Sequence, residues 1–309
     1  MAARLTVKWF YVQKLDLPLW SVAFSPTGNL LASTPGEDSV IPLWNPLNGQ
    51  RQATLPGQSG SITAVAFSPD GHLLASGSSD GILLLWEVST RSILQMFADP
   101  AGGWSSVAFS PDGALLARGN EEGAIQVWET RTGQERVTLI GHMDGVTSVA
   151  FAPDGRHLAS GSHDASVKVW DITTGRLFAD LRAHTASVLS VAWSPRGALL
   201  ASGSADECIK LWDTGSGQER ATLTNYDDAV TEVAFHPSGQ LLASSMFRSN
   251  WPVCLWDVET GQFMQGLHGT TDQAQSVAFS PDGRLLACGG EGRFHTLEVW
   301  QMEWEGDTR

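Results

Sequence analysis

An octapeptide, SVAFSPDG, occupies residues 106–113 and recurs letter for letter at 276–283. Close copies begin at Ser21, Ala64, Ser148, Ser190 and Glu232. A fixed internal period decides the architecture before any single element is considered. The proline of each copy measures that period: Pro26, Pro69, Pro111, Pro153, Pro195, Pro237 and Pro281, spaced by 43, 42, 42, 42, 42 and 44 residues. A tryptophan follows each proline, at Trp44, Trp86, Trp128, Trp170, Trp212, Trp256 and Trp300. From each of the first six tryptophans to the next proline is always 25 residues, so length varies only between a proline and its own tryptophan. The chain is one array of seven units.

Each unit reads as four short strands. In residues 146–182, VTSVAFA alternates in apolar character and is rich in β-branched and aromatic residues, the pattern of a strand. APDG is a turn, with Pro presetting φ and Gly tolerating the tight exit. RHLASGS, ASVKVWDI and RLFADLRA supply three more strands, separated by HD and TTG. No stretch keeps a helical period over a useful length. A four-stranded meander repeated seven times cannot bury both its faces alone, so the units must stack.

Units of this length ending in Trp170-Asp171, Trp212-Asp213 and Trp256-Asp257, with Gly141-His142 ahead of the fourth, resemble WD40 repeats across nearly the whole chain. The resemblance implies an all-β fold: a seven-bladed WD40-type β-propeller with four antiparallel strands per blade. One domain is expected over 1–309, with repeat cores at about 19–55, 62–97, 104–139, 146–182, 188–223, 230–266 and 274–304. The last unit supplies three strands and then stops, while KWFYVQ (residues 8–13) precedes Pro26 by the same offset that LFADLR (177–182) holds from Pro195. The N-terminal segment is therefore expected to complete the last blade, removing an open edge.

The net charge of −14 disfavours phosphate backbones and anionic lipid, so neither nucleic acid nor membrane is an expected partner. No apolar run is long enough for a membrane span, and the N-terminus lacks the shape of a signal peptide. Cys208, Cys254 and Cys288 lie inside strand patterns without ligand spacing and read as small buried residues in a reducing compartment. A monomeric, cytoplasmic protein without metal or cofactor is expected.

His142, Ser160 and Asp164 could be taken for a Ser-His-Asp set, and His184, Ser202 and Asp206 repeat it in the next unit. A triad is recognised by geometry and roles, not residue types, and an active site need not appear twice at one spacing. The WD40 resemblance implies instead two structural tetrads, His142–Ser160–Asp164–Trp170 and His184–Ser202–Asp206–Trp212. Other units degrade the pattern: Gln58 and Leu15 stand at the histidine position of units two and one, Arg118 and Cys288 at the serine position of units three and seven, and Asn250 and Phe294 at the aspartate position of units six and seven. GSSDG (77–81) formally matches a nucleophile elbow but joins two strands rather than a strand and a helix.

Turns after the first and third strands share one rim and are nearly uniform; turns after the second and fourth share the other and vary. Varied loops on a rigid scaffold are where recognition usually sits. SMFRSNWP (245–252) and GGEGRFHT (289–296) are the longer insertions, both on the varied rim. They present Met246, Phe247, Arg248, Trp251, Arg293, Phe294 and His295, with Tyr226 in a neighbouring loop, a composition typical of interface anchors. Trp251 or Phe294 could equally fill holes left by the lost tetrad aspartates. The expected function is a non-catalytic protein–protein interaction scaffold binding a protein or peptide partner on this rim. The alternatives are a sensory or regulatory module of a larger protein, and a hydrolase or lyase with its site at the channel mouth.

Overall fold

Twenty-eight β-strands and no helix are present among the residues described by the computed structural model, which are 5–35, 39–98, 103, 106–224, 228–249, 251–269, 271, 273–291 and 295–304. They form seven antiparallel sheets of four strands each. Numbered in chain order, β2–β5 (residues 19–55) make blade one, and each following set of four makes the next blade. In the seventh, β26 (Gln273–Phe279), β27 (Leu285–Glu291) and β28 (His295–Trp304) are joined by β1 (Leu5–Leu15) in the order β1-β28-β27-β26. Trp9 stands opposite Trp300 in that pairing, and a bulge follows at Phe10. The N-terminal strand closes the ring.

Within a blade, the two middle strands are the most buried, the innermost strand is partly open to the channel and the outermost is largely exposed. The third strand of blade two, β8 (Ile82–Glu87), is buried on both faces and reads as a nearly continuous apolar run. The outermost strand of blade five, β21 (Glu219–Leu223), is mostly exposed and carries Glu219 and Arg220. Such charges on an outer strand discourage pairing with another chain.

The hydrophobic core is divided among the seven junctions between neighbouring blades. At the seam, Leu19, Val22, Leu31 and Trp44 of blade one pack with Leu285, Ala287, Leu297 and Val299 of blade seven. A comparable cluster joins blades five and six, where Ile209, Leu211 and Leu223 meet Val230, Val233, Leu242 and Trp256. Each blade thus needs both neighbours, which is the physical reason for a closed ring of repeats.

The repeated turn has the same logic. Gly71 takes a left-handed φ of 74°, and its N–H donates to the Ser68 carbonyl at 2.8 Å. A Cβ added there would lie 3.4 Å from Cδ of Pro26 in the preceding blade. The octapeptide therefore builds a hairpin and seats it against its neighbour. This rim is uniform because its turns are inter-blade contacts.

Candidate functional site

In blade four the Trp170 indole N–H donates to Ser160 Oγ (2.9 Å), Ser160 Oγ lies 2.7 Å from His142 Nε2, and His142 Nδ1 lies 3.0 Å from Asp164 Oδ2. Blade five repeats the arrangement with Trp212–Ser202 at 2.8 Å, Ser202–His184 at 2.7 Å and His184–Asp206 at 2.8 Å. An indole can only donate, so each serine hydroxyl turns its proton toward the imidazole and the ring proton faces the carboxylate. Burial pushes both imidazoles below the ordinary histidine value, against the opposing effect of the hydrogen bonds they donate to Asp164 and Asp206. Burial also works to raise the Asp164 carboxyl, but hydrogen bonds from Ser166, the Met143 N–H and His142 overcome it and hold it far below the usual range. Ser160 and Ser202 have 0% exposure. Neither serine oxygen is within reach of a substrate.

The other blades keep parts of this network. Ser33, Ser76 and Ser244 still accept the indole N–H of Trp44, Trp86 and Trp256. In blade two Gln58 replaces the histidine, and its Oε1 accepts from Ser76 at 2.6 Å. Arg118, in the serine position of blade three, is buried and donates to the Gly81 carbonyl at 2.8 Å. In blade seven the buried Glu298 carboxyl enters the region of Cys288, its cross-strand partner, and accepts from the Thr271 N–H (2.8 Å) and Thr296 Oγ1 (3.1 Å).

On the varied rim the structure separates the expected cluster by environment. Arg248 is exposed, and its guanidinium carbon stands 5.1 Å from the centre of the half-buried Phe247 ring. The Phe247 N–H donates to the Ala229 carbonyl at 3.3 Å, which places this pair beside the start of the innermost strand of blade six. Trp251 is half-buried, stacked on Phe263, with its indole N–H donating to His268 Nε2 at 2.7 Å. Met246 differs from its expected presentation at the surface: it ends β23 (Leu241–Met246) opposite Val230 and is 1% exposed. Tyr226, Arg293 and Phe294 lie outside the described residues, as do Asp38, Trp104 and Asn250. Exposed Asp80, Glu121, Glu122, Asp144 and Glu207 occupy other loops of this rim.

Inside the ring, one position of each innermost strand forms a belt around the channel. Ser276 Oγ accepts from the Val22 N–H (3.0 Å), Ser21 from Val65 (3.4 Å), Ser106 from Val149 (3.1 Å), Ser148 from Val191 (3.1 Å) and Ser190 from Val233 (3.2 Å). Each bond joins one blade to the next. Ala64 leaves a gap in the belt, and in blade six Glu232 Oε2 accepts from the Val277 N–H at 2.7 Å. These residues line a cavity of about 190 Å³ on the varied-rim side of the channel. Glu232 is the single ionisable side chain among the described residues that line it. Part of its surface faces the channel, yet burial pushes its pKa up to about 7, against hydrogen bonds from Ser276 and the Val277 N–H. Sequence reasoning passed over it because EVAF reads as one more copy of SVAF. Among the described residues no group of three or more His, Cys, Asp or Glu side chains is arranged to hold a metal ion.

The sequence profile of the WD domain, G-beta repeat family matches seven times, at residues 11–45, 49–87, 92–129, 133–171, 175–213, 217–257 and 261–301. The chain belongs to the WD40 family. Each matched WD40 repeat begins at or near the outermost strand of one blade and ends in the third strand of the next, so the repeats themselves interlock the ring. Similar curated proteins include Protein tipD of Dictyostelium discoideum, 40% identical over 68 residues, which are 22% of this chain and 11% of tipD. Small ribosomal subunit protein RACK1y of Oryza sativa subsp. japonica is 39% identical over 74 residues, 24% of this chain and 22% of that protein. Eukaryotic translation initiation factor 3 subunit I of Pyricularia oryzae is 35% identical over 82 residues, 26% of this chain and 24% of the subunit. The matched part of this WD40 chain thus spans between about a tenth and a quarter of the length of these relatives.

Proposed function

We propose that this WD40 protein is a non-catalytic scaffold that binds a protein or peptide partner on its varied rim. The observation that carries the reading is the contrast between the rims. Turns of the uniform rim are occupied in contacts between blades, whereas the varied rim leaves Arg248 exposed over Phe247. An exposed arginine above an aromatic ring is a common interface anchor. The acidic loops around it suit a partner with complementary basic charge. Two relatives carry names that place them in larger assemblies, a ribosomal subunit and an initiation factor. Tyr226, Arg293 and Phe294 belong to the proposed surface, and a monomeric single domain over 1–309, working in the cytoplasm without nucleic acid or membrane contact, belongs to the same reading.

The serines that would be nucleophiles are buried and already accept an indole N–H, which supports a structural role for both tetrads. The test is affinity capture from source-cell lysate, with captured proteins identified by mass spectrometry and their binding remeasured in purified form. A Phe247→Ala/Arg248→Glu variant should lose a protein that the wild type retains. Identical captures from a folded variant would overturn the assignment of this rim.

A further inference from the structure

The channel wall contains a charge that the ring does not need. Five of the seven belt positions are serine, and each serine accepts the N–H of the next blade through one oxygen. Glu232 makes the same contact with Oε2, so a serine would satisfy the fold at that place. When ionised, the carboxylate adds a negative charge to a narrow cavity where every other described lining residue is uncharged. A buried carboxylate without a countercharge is costly, and a cation brought beside it is held correspondingly well.

The side chains next to it define which cation. Around one side of the cavity run Thr231 and Glu232 of blade six, Gln275 and Ser276 of blade seven, and Trp20 and Ser21 of blade one. Hydroxyl and amide oxygens accept hydrogen bonds, and an indole face attracts a delocalised cation. A guanidinium is planar, carries five donors and no acceptor, stacks on aromatic rings and pairs with carboxylates in a bidentate fashion. It matches this wall better than a compact ammonium, which cannot both fork and stack.

We propose that the channel mouth binds the guanidinium of an arginine side chain from the partner, held by the Glu232 carboxylate with Trp20, Gln275 and the neighbouring hydroxyls. The proposal rests on the varied rim being the binding face, and it adds the chemistry that the partner must bring. Phe247 and Arg248 stand beside the start of the strand that carries Glu232, so one peptide can cover the rim and place an arginine in the channel.

The probe is N-acetyl-arginine methylamide, titrated into the full chain while the Trp20 indole N–H signal is followed by NMR, assigned through a Trp20→Phe variant. The neutral citrulline analogue and the lysine analogue are titrated alongside. Glu232→Gln replaces a charge-assisted hydrogen bond by a neutral one and should weaken the arginine probe by about tenfold or more. Citrulline should bind the wild type as weakly as arginine binds the variant, and lysine should fall between. Glu232→Ser, which installs the residue of the equivalent blades, guards against a folding artefact and should behave as Glu232→Gln does. Non-saturating shifts with the wild type, or equal affinity in wild type and Glu232→Gln, would overturn the channel site. Partner capture that needs Arg248 but is indifferent to Glu232 would also overturn it while leaving the rim reading intact. Glu232-dependent arginine binding with no protein captured would do the reverse.

Discussion

The Trp251 indole lies stacked on Phe263, with ring centres 5.3 Å apart and planes 17° from parallel. The ring covers Gly266 so closely that a Cβ there would come within 2.4 Å of it. Trp251 is therefore a packing residue with one wet edge, and Arg248 is free of that duty. Trp251→Ala should cost about 2 kcal/mol, below the range for a fully buried tryptophan because this one is half-buried. Arg248→Ala should stay within about 0.5 kcal/mol of wild type, as exposed positions usually do. Urea melts of the two variants decide it; equal stabilities would mean that Trp251 carries no packing load.

Ser160 serves two neighbours, accepting from Trp170 and giving its proton to His142. Its counterpart Ser33 serves the Trp44 indole, with Leu15 at the histidine position of that unit. Leaving a buried polar group unpaired costs about 1–3 kcal/mol. Ser160→Ala strands two such groups and Ser33→Ala one, so the first should destabilise by about 1 kcal/mol more. Indistinguishable melts would show that the histidine adds nothing to the indole–serine bond.

The same accounting ranks the blades by local stability. Blades four and five hold complete tetrads, whereas blade seven has Cys288 in place of the serine and relies on Glu298. Amides of the second and third strands should exchange most slowly in blades four and five, since openings are easiest where fewer buried contacts hold a unit. Mass-spectrometric hydrogen exchange resolved by blade is the measurement. Finding blade seven best protected would remove the tetrads as the source of rigidity.

The ring was readable in the sequence because its period is local: a proline, a tryptophan and a fixed 25-residue interval count the blades. The closing strand was readable for the same reason, as residues 8–13 hold the offset of a fourth strand. The site was less so. Glu232 shares a cavity with Trp20, Ser21, Gln275 and Ser276 through curvature of the ring, and nothing adjacent in the chain announces that arrangement. Trp251 and Phe247 look alike in a loop sequence. Their difference comes from Phe263, the first residue of the outermost strand of the blade, which lies beneath one ring. Glu298 entering the space beside Cys288 likewise depends on cross-strand register.

Glu232 also fixes the sign of one pH dependence. Its folded pKa of about 7 lies above the ordinary glutamate value of 4.5. Below about pH 4.5 the carboxyl is protonated in both folded and unfolded chains, and its contribution to stability is fully present. As pH rises from 4.5 through 7, the unfolded chain ionises first, and that contribution is lost. The opposite holds for His142 and His184, whose depressed values make stability fall as pH drops below the ordinary histidine value. Around Glu232, Ser190, Ser245, Gln275 and Ser276 carry no charge, and Cys288 and Glu298 lie behind it in blade seven, where the Cys288 thiol is raised by burial and by both carboxylates. Comparing wild type with Glu232→Gln cancels the histidines, because both chains contain them. The variant should gain stability relative to wild type between pH 4.5 and 8, by on the order of 3 kcal/mol from a shift of this size. Chemical denaturation at four or five pH values tests it directly. Parallel profiles would place the Glu232 carboxyl in water, and with it would go the desolvated wall on which arginine recognition depends.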